Sequence, residues 1–157
     1  INNIIKEVFM SLFKKYYLYT KERFPIPPTF AYAAALYYLS YFFTNIIQNR
    51  SPFNLAESII GCLVFYMALF EIRLLDEHKD YAKDVVAHPE RMLSRGEITL
   101  ADLRKLLYVM VALQTAMAIY LGPAPFAVWL AIQVFALFMF KEFLFQNFST
   151  GTWDFIS

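Results

Sequence analysis

The stretch FPIPPTFAYAAALYYLSYFFTNIIQN, residues 24 to 49, runs for 26 positions without a charge. At about 1.5 Å per residue, about 20 of them cover the roughly 30 Å hydrocarbon core of a bilayer. Residues 28–47 therefore read as a membrane-spanning helix. The next apolar run, Leu55 to Phe70, carries only Glu57 near its start and reads as a second span, over 55–75. Leu106 to Phe140 adds 35 uncharged residues, too many for one ordinary span. Gly122, Pro123 and Pro125 divide it, because these residues favour a turn and end a helix. The result is a helical hairpin with spans over 104–121 and 125–146.

Composition agrees with that reading. Of 157 residues 59% are hydrophobic, well above the roughly 45 to 50% of soluble domains. Net charge is +1, which excludes a strongly basic nucleic-acid binder, and a single cysteine, Cys62, excludes an intramolecular disulfide scaffold or a Cys-rich zinc site. Residues 71 to 105 hold 15 of the 27 charged side chains. This is the layout of an all-α, multi-pass membrane bundle in one domain (1–157), with one polar working segment at 76–99.

The first 23 residues form a fifth helical element. Ile1, Ile4, Ile5, Val8, Phe9, Leu12, Phe13, Tyr16 and Tyr17 follow an i, i+3, i+4, i+7 rhythm with Lys6, Glu7, Lys14 and Lys15 opposite. An amphipathic helix lying in the membrane interface fits that pattern. Lys and Arg are concentrated in residues 1–23 and in the 71–105 segment, with only Arg50 between the first two spans and none in the hairpin turn. The positive-inside rule then places the N-terminus and the charged segment in the cytoplasm.

That segment reads EIRLLDEHKDYAKDVVAHPERMLSRGEITLADLRKL, Glu71 to Leu106. Asp76, Asp80 and Asp84 recur at i, i+4, i+8 along one helical face, with Glu77 beside them. Carboxylates about 6 Å apart repel by about 3 kcal/mol at an effective dielectric near 20, so something positive belongs there. One candidate is the segment's own bases: Arg73, one turn before Asp76, and the interleaved Lys79 and Lys83. The other is a hard divalent cation; oxygen ligands favour Mg²⁺, which keeps waters and pairs one or two carboxylates with substrate phosphates. Arg91 and Arg95 follow the helix-breaking Pro89 and precede Gly96, on a loop able to fold back and grip phosphate oxygens. Together these features point to a diphosphate carrying a lipid tail.

In this chain the pattern stands as Asp76-Glu77-x-x-Asp80-x-x-x-Asp84, then Arg91-Met92-x-x-x-Gly96. It resembles the first aspartate-rich motif of the UbiA superfamily of intramembrane prenyltransferases, N-D-x-x-D-x-x-x-D followed by R-P-x-x-x-G. The departures are Asp at 76, Glu at 77 and Met at 92; the first two keep oxygen ligands and the third is expected to change only loop stiffness. The resemblance covers the N-terminal half of that fold. A second aspartate-rich motif is missing, since after Asp102 the only acids are Glu142 and Asp154. The expectation is a chain incomplete at its C-terminus or paired with another.

The resemblance implies a Mg²⁺-dependent transfer of a polyprenyl group from a prenyl diphosphate to an aromatic or other lipophilic acceptor. It implies catalytic, metal-holding Asp76, Asp80 and Asp84 with Glu77 in support, and Arg91 and Arg95 on the diphosphate; Arg73, Lys79 and Lys83 join them on spacing alone. The aromatic faces of Tyr32, Tyr37, Tyr38, Tyr41, Phe65 and Tyr66 are candidates for stabilising an allylic cation. A blander reading stands beside it: a solvated loop laced with i, i+4 ion pairs, in a non-catalytic membrane protein or inactive half-enzyme whose charges bind a partner or lipid head groups. Thr99 and Asp102 read as a capping box that starts the third span.

Overall fold

The computed structural model describes the backbone of residues 2–49 and 54–149 and the side chains of residues 13–49 and 54–138. It is all helical, with no strand among the described residues. The order is α1 (Asn2–Arg23), α2 (Ile26–Ile47), α3 (Leu55–Ala87), α4 (Leu100–Leu121) and α5 (Pro123–Ser149).

Local chemistry sets the boundaries. Prolines at 25, 27 and 28 separate α1 from α2, and proline is tolerated in the first turn of a helix, where its missing N–H has no intrahelical partner. Asn54 caps α3 by accepting from the Glu57 backbone N–H at 3.3 Å. Thr99 and Asp102 form the reciprocal capping box of α4. Between α4 and α5 the chain turns at Gly122, whose φ of 109° is open to glycine and strained for other residues.

Three helices, α2, α3 and α4, are long and apolar enough to cross a membrane. The described apolar part of α5 is shorter, Pro123–Phe138; the rest of the expected fourth span lies outside the described side chains. So does most of the apolar stripe of α1, Ile1 to Leu12, on which the interfacial reading rests. Exposed apolar residues dominate the outer faces, among them Leu39, Phe43 and Ile46 of α2 and Phe135, Leu137 and Phe138 of α5. A water-exposed domain avoids such continuous apolar surface; a membrane bundle requires it.

α3 is the central element and packs against α2, α4 and α5. Against α2, Gly61 lies directly under the Tyr37 ring and hydroxyl, so the absent Cβ permits the approach. Tyr37 also stacks on Tyr41 at 5.9 Å and lies 6.3 Å from Phe65, while Tyr32 is exposed on the outer face. At the other end of α3, Tyr19, Phe70, Leu74, Met92, Leu93, Ile98 and Leu103 form a buried cluster beneath the charged segment.

Candidate functional site

α3 is 33 residues long, about 50 Å, so its last third extends beyond what a bilayer core of about 30 Å can cover. The acids ride on this extension: the helix runs unbroken through all four of them to Ala87, and the loop proper is only residues 88–99. His88 ends the helix with its N–H on the Asp84 carbonyl at 2.8 Å. The loop then turns back through Arg91 N–H to His88 O, Arg95 N–H to Arg91 O and Glu97 N–H to Met92 O, with Gly96 at φ 72° making the reversal. Met92, Leu93 and Ile98 anchor it in the core. Met92 thus does more than set loop stiffness: it is a packed core side chain.

Helical geometry divides the acids into two flanks. Glu77 and Asp84, seven residues apart, differ by only about 20° around the axis, whereas adjacent Asp76 and Glu77 differ by about 100°. On the first flank Arg23 Nε donates to Glu77 Oε1 at 2.6 Å, and Arg73 Nη2 donates to the same oxygen at 3.0 Å. Arg91 Nη1 donates to Asp84 Oδ2 at 2.5 Å, joined by Arg23 Nη2 at 3.4 Å. Glu77 is 2% exposed and Asp84 23%, so the first pair is sealed and the second faces outward.

On the second flank Asp76 lines an open cavity of about 130 Å³ between α3 and α5. Ile72, Leu75 and Lys79 form its α3 wall, and Ile132, Phe135 and Ala136 its α5 wall. Burial there raises the Asp76 carboxyl above the ordinary range; Lys79 opposes the shift and Asp80 adds to it. Asp80 is half-buried, and Lys83 lies exposed on the same extension. Arg95 turns away: its Nε donates to Glu97 at 2.7 Å and its Nη1 to the Glu90 carbonyl, on an outward face 45% exposed. Among the described residues no group of three or more His, Cys, Asp or Glu side chains comes together to hold a metal ion.

Two features of this region are not legible in residue spacing. The first is the contribution of α1. Besides Arg23, it supplies Lys15 Nζ to Asp102 Oδ2 at 2.6 Å, Tyr16 Oη to the Asp102 carbonyl at 3.2 Å, and Glu22 Oε1, which accepts from the Met92 N–H at 3.1 Å. The second is a polar lock inside the bundle. Glu71 Oε2 accepts from Gln114 Nε2 and Gln133 Nε2, each at 2.9 Å, and Trp129 Nε1 donates to Gln114 Oε1 at 3.3 Å. Its signal was present: Gln114 and Gln133 are the only amides in the uncharged 106–140 stretch. His78 is structural, its ring nitrogens 2.8 and 3.2 Å from the Leu74 and Leu100 carbonyls. No protein-family model, no curated protein and no solved structure matches this chain.

Proposed function

We propose that the charged end of α3 is the diphosphate-handling site of a UbiA-like prenyltransferase, acting at the cytoplasmic face of the membrane. Such an enzyme moves a polyprenyl group from a prenyl diphosphate to an aromatic or other lipophilic acceptor. The observation that supports the reading most directly is the return of the 88–99 loop, which sets Arg91 on Asp84 beside the acid row. Arginines that would grip a diphosphate thereby stand one helical flank away from the Asp76 and Asp80 carboxylates and an apolar cavity.

The donor set fits Mg²⁺ as a half-site. Asp76 and Asp80 offer hard oxygens one turn apart, within electrostatic reach of one another, and Mg²⁺ commonly takes one or two carboxylates and completes its shell with water and phosphate. Bound there, it would neutralise the charge that grows on a departing diphosphate. Glu77 and Asp84 keep the arginines in place instead of ligating. Arg91 and Arg73 bind and orient phosphate oxygens. Ile72, Leu75, Ile132 and Phe135 receive the apolar tail and exclude water from the reacting carbon.

Full-length protein in lipid nanodiscs, supplied with farnesyl diphosphate and Mg²⁺, tests this through diphosphate release. Asp80→Asn is expected to lower the rate at least 100-fold; an unchanged rate removes the acid row from the chemistry. A second reading is favoured by the pairing of Glu77 and Asp84 with arginines, which also suits a structural clasp in a non-catalytic protein. Wild-type protein that releases no diphosphate from any donor would favour it.

A further inference from the structure

We infer that the outward face of α1, formed by Phe13, Tyr17, Lys21 and Lys14, is a docking surface for the anionic head groups of a lipid bilayer. The opposite face of the helix is held by the bundle. Tyr19 is fully buried in the core cluster, with Tyr16 packed against it. Lys15 and Arg23 are drawn to the same side by Asp102 and Glu77. Glu22, the one acid in residues 13–23, accepts from the Met92 N–H of the loop. At about 100° per residue, Phe13, Tyr17, Lys21 and Lys14 lie about 120° to 160° around the axis from Tyr19. Phe13 is 66% exposed and Tyr17 54%, and both lysines are exposed. The apolar stripe expected from periodicity is thus split: Tyr16 goes inward and Tyr17 outward, beside Lys14 instead of opposite it.

The height of α1 suits that neighbour. Its anchors, Glu77 on α3 and Asp102 on α4, stand just past Leu75 and just before Leu106, where the apolar runs end and begin. Both are within roughly 6 Å of the hydrocarbon boundary at about 1.5 Å per residue. Lys15 and Arg23 lie about 12 Å apart along α1, and they bridge two helices that pack together, which commonly means about 8 to 10 Å between axes. α1 therefore crosses from α3 to α4 near the level of the head groups instead of continuing a span. With one face on the bundle, the other meets the surrounding leaflet. Aromatic rings and lysines are both favoured there, the lysine stems covering apolar surface while the ammonium reaches the phosphates. Protein interfaces also enrich aromatic residues but deplete lysine. The one nearby acid, Glu22, is engaged by the loop, so two positive charges face outward, and an anionic leaflet complements them.

This surface is independent of the transferase reading, and its test needs no turnover. Full-length protein in maltoside micelles carries a fluorophore on Leu18→Cys, beside the face, with Cys62→Ala so that one thiol is labelled. Dibrominated phosphatidylglycerol or dibrominated phosphatidylcholine is titrated in, and quenching is followed. Half-maximal quenching is expected at a phosphatidylglycerol concentration at least fivefold below that of phosphatidylcholine. Lys14→Gln together with Lys21→Gln should bring the two lipids within about twofold of each other. Lys15→Gln removes a charge that Asp102 already engages, and should leave the preference standing. Equal quenching by the two lipids before the lysines are changed, a preference that survives loss of Lys14 and Lys21, or one abolished as fully by Lys15→Gln would each overturn the surface. Absence of quenching by either lipid would overturn it as well, and disulfide-linked dimers through Leu18→Cys would then assign the face to a second copy of the chain.

Discussion

Asp76 and Glu77 are neighbours in sequence, and about 100° of helix gives them opposite surroundings. Glu77 is sealed against two guanidiniums, while Asp76 is turned toward an apolar wall on α5. For Asp76 the cost of losing water exceeds what Lys79 returns, and its carboxyl is raised above the ordinary range. The sign follows from linkage. A carboxyl raised in the folded state favours folding when protonated, below its unfolded value near 3.9, and that contribution is lost as pH rises through the folded value. At pH 7 the charged Asp76 is therefore a burden, and Asp76→Asn should raise the unfolding temperature there. The gain should vanish below about pH 4, where both side chains are neutral. Thermal unfolding of the two proteins across that range checks it, and a variant less stable at pH 7 would show that Asp76 is held by attraction.

At the scale of elements, α1 behaves as a strap across the charged segment, and Asp102 is its fixed point. This one carboxylate accepts from Lys15 and from Thr99, tying α1 to the first turn of α4. The Lys15 hydrogen bond first, and Thr99 next, pull its carboxyl down to about 2. The unfolded value is near 3.9, so the stabilisation is complete above about pH 4 and is lost as pH falls toward 2. The ion pair lies near solvent, where screening leaves it below about 1 kcal/mol. Asp102→Ala should cost about 1 to 2 kcal/mol at pH 7, mostly from the cap, and almost nothing at pH 2; denaturant titration at both pH values measures the difference. The cap was legible in sequence because its geometry is local, three residues from donor to acceptor. So were the three helices long and apolar enough to cross a membrane, which need only a run of apolar residues, and the fold-back of Arg91, which needs only Pro89 and Gly96. Arg23 was not, because it meets Glu77 across 54 positions and stands at the end of a helix whose periodicity pointed to the lipid interface. Periodicity identifies a face; it does not say which partner covers it.

Over the whole molecule Glu71, a buried acid facing both α4 and α5, ties α5 to the bundle. In a membrane, helices gain little from apolar contact alone, since lipid is as apolar as leucine, and interhelical hydrogen bonds and close packing carry association. Glu71 is 4% exposed, and its Oε2 draws an amide from α4 and another from α5, while Trp129 of α5 closes the ring through Gln114. Gln133 adjoins Ile132 in sequence, and Ile132 lines the Asp76 cavity, so the lock and that cavity share one stretch of α5. Glu71→Gln keeps an oxygen for both amides and removes a charge from the interior, and should leave stability unchanged or higher. Glu71→Leu leaves two amides without an acceptor and should cost about 1 to 2 kcal/mol, given roughly 0.6 kcal/mol for an average intramembrane hydrogen bond plus the orphaned donors. A disulfide between cysteines introduced at Ile72 and Ile132, with Cys62 changed to Ala, reports the α3–α5 approach. It should form readily beside Glu71 or Glu71→Gln and several-fold more slowly beside Glu71→Leu. Equal rates and equal unfolding midpoints in the two variants would mean that packing alone holds α5, and that the carboxylate is there for a reason other than adhesion.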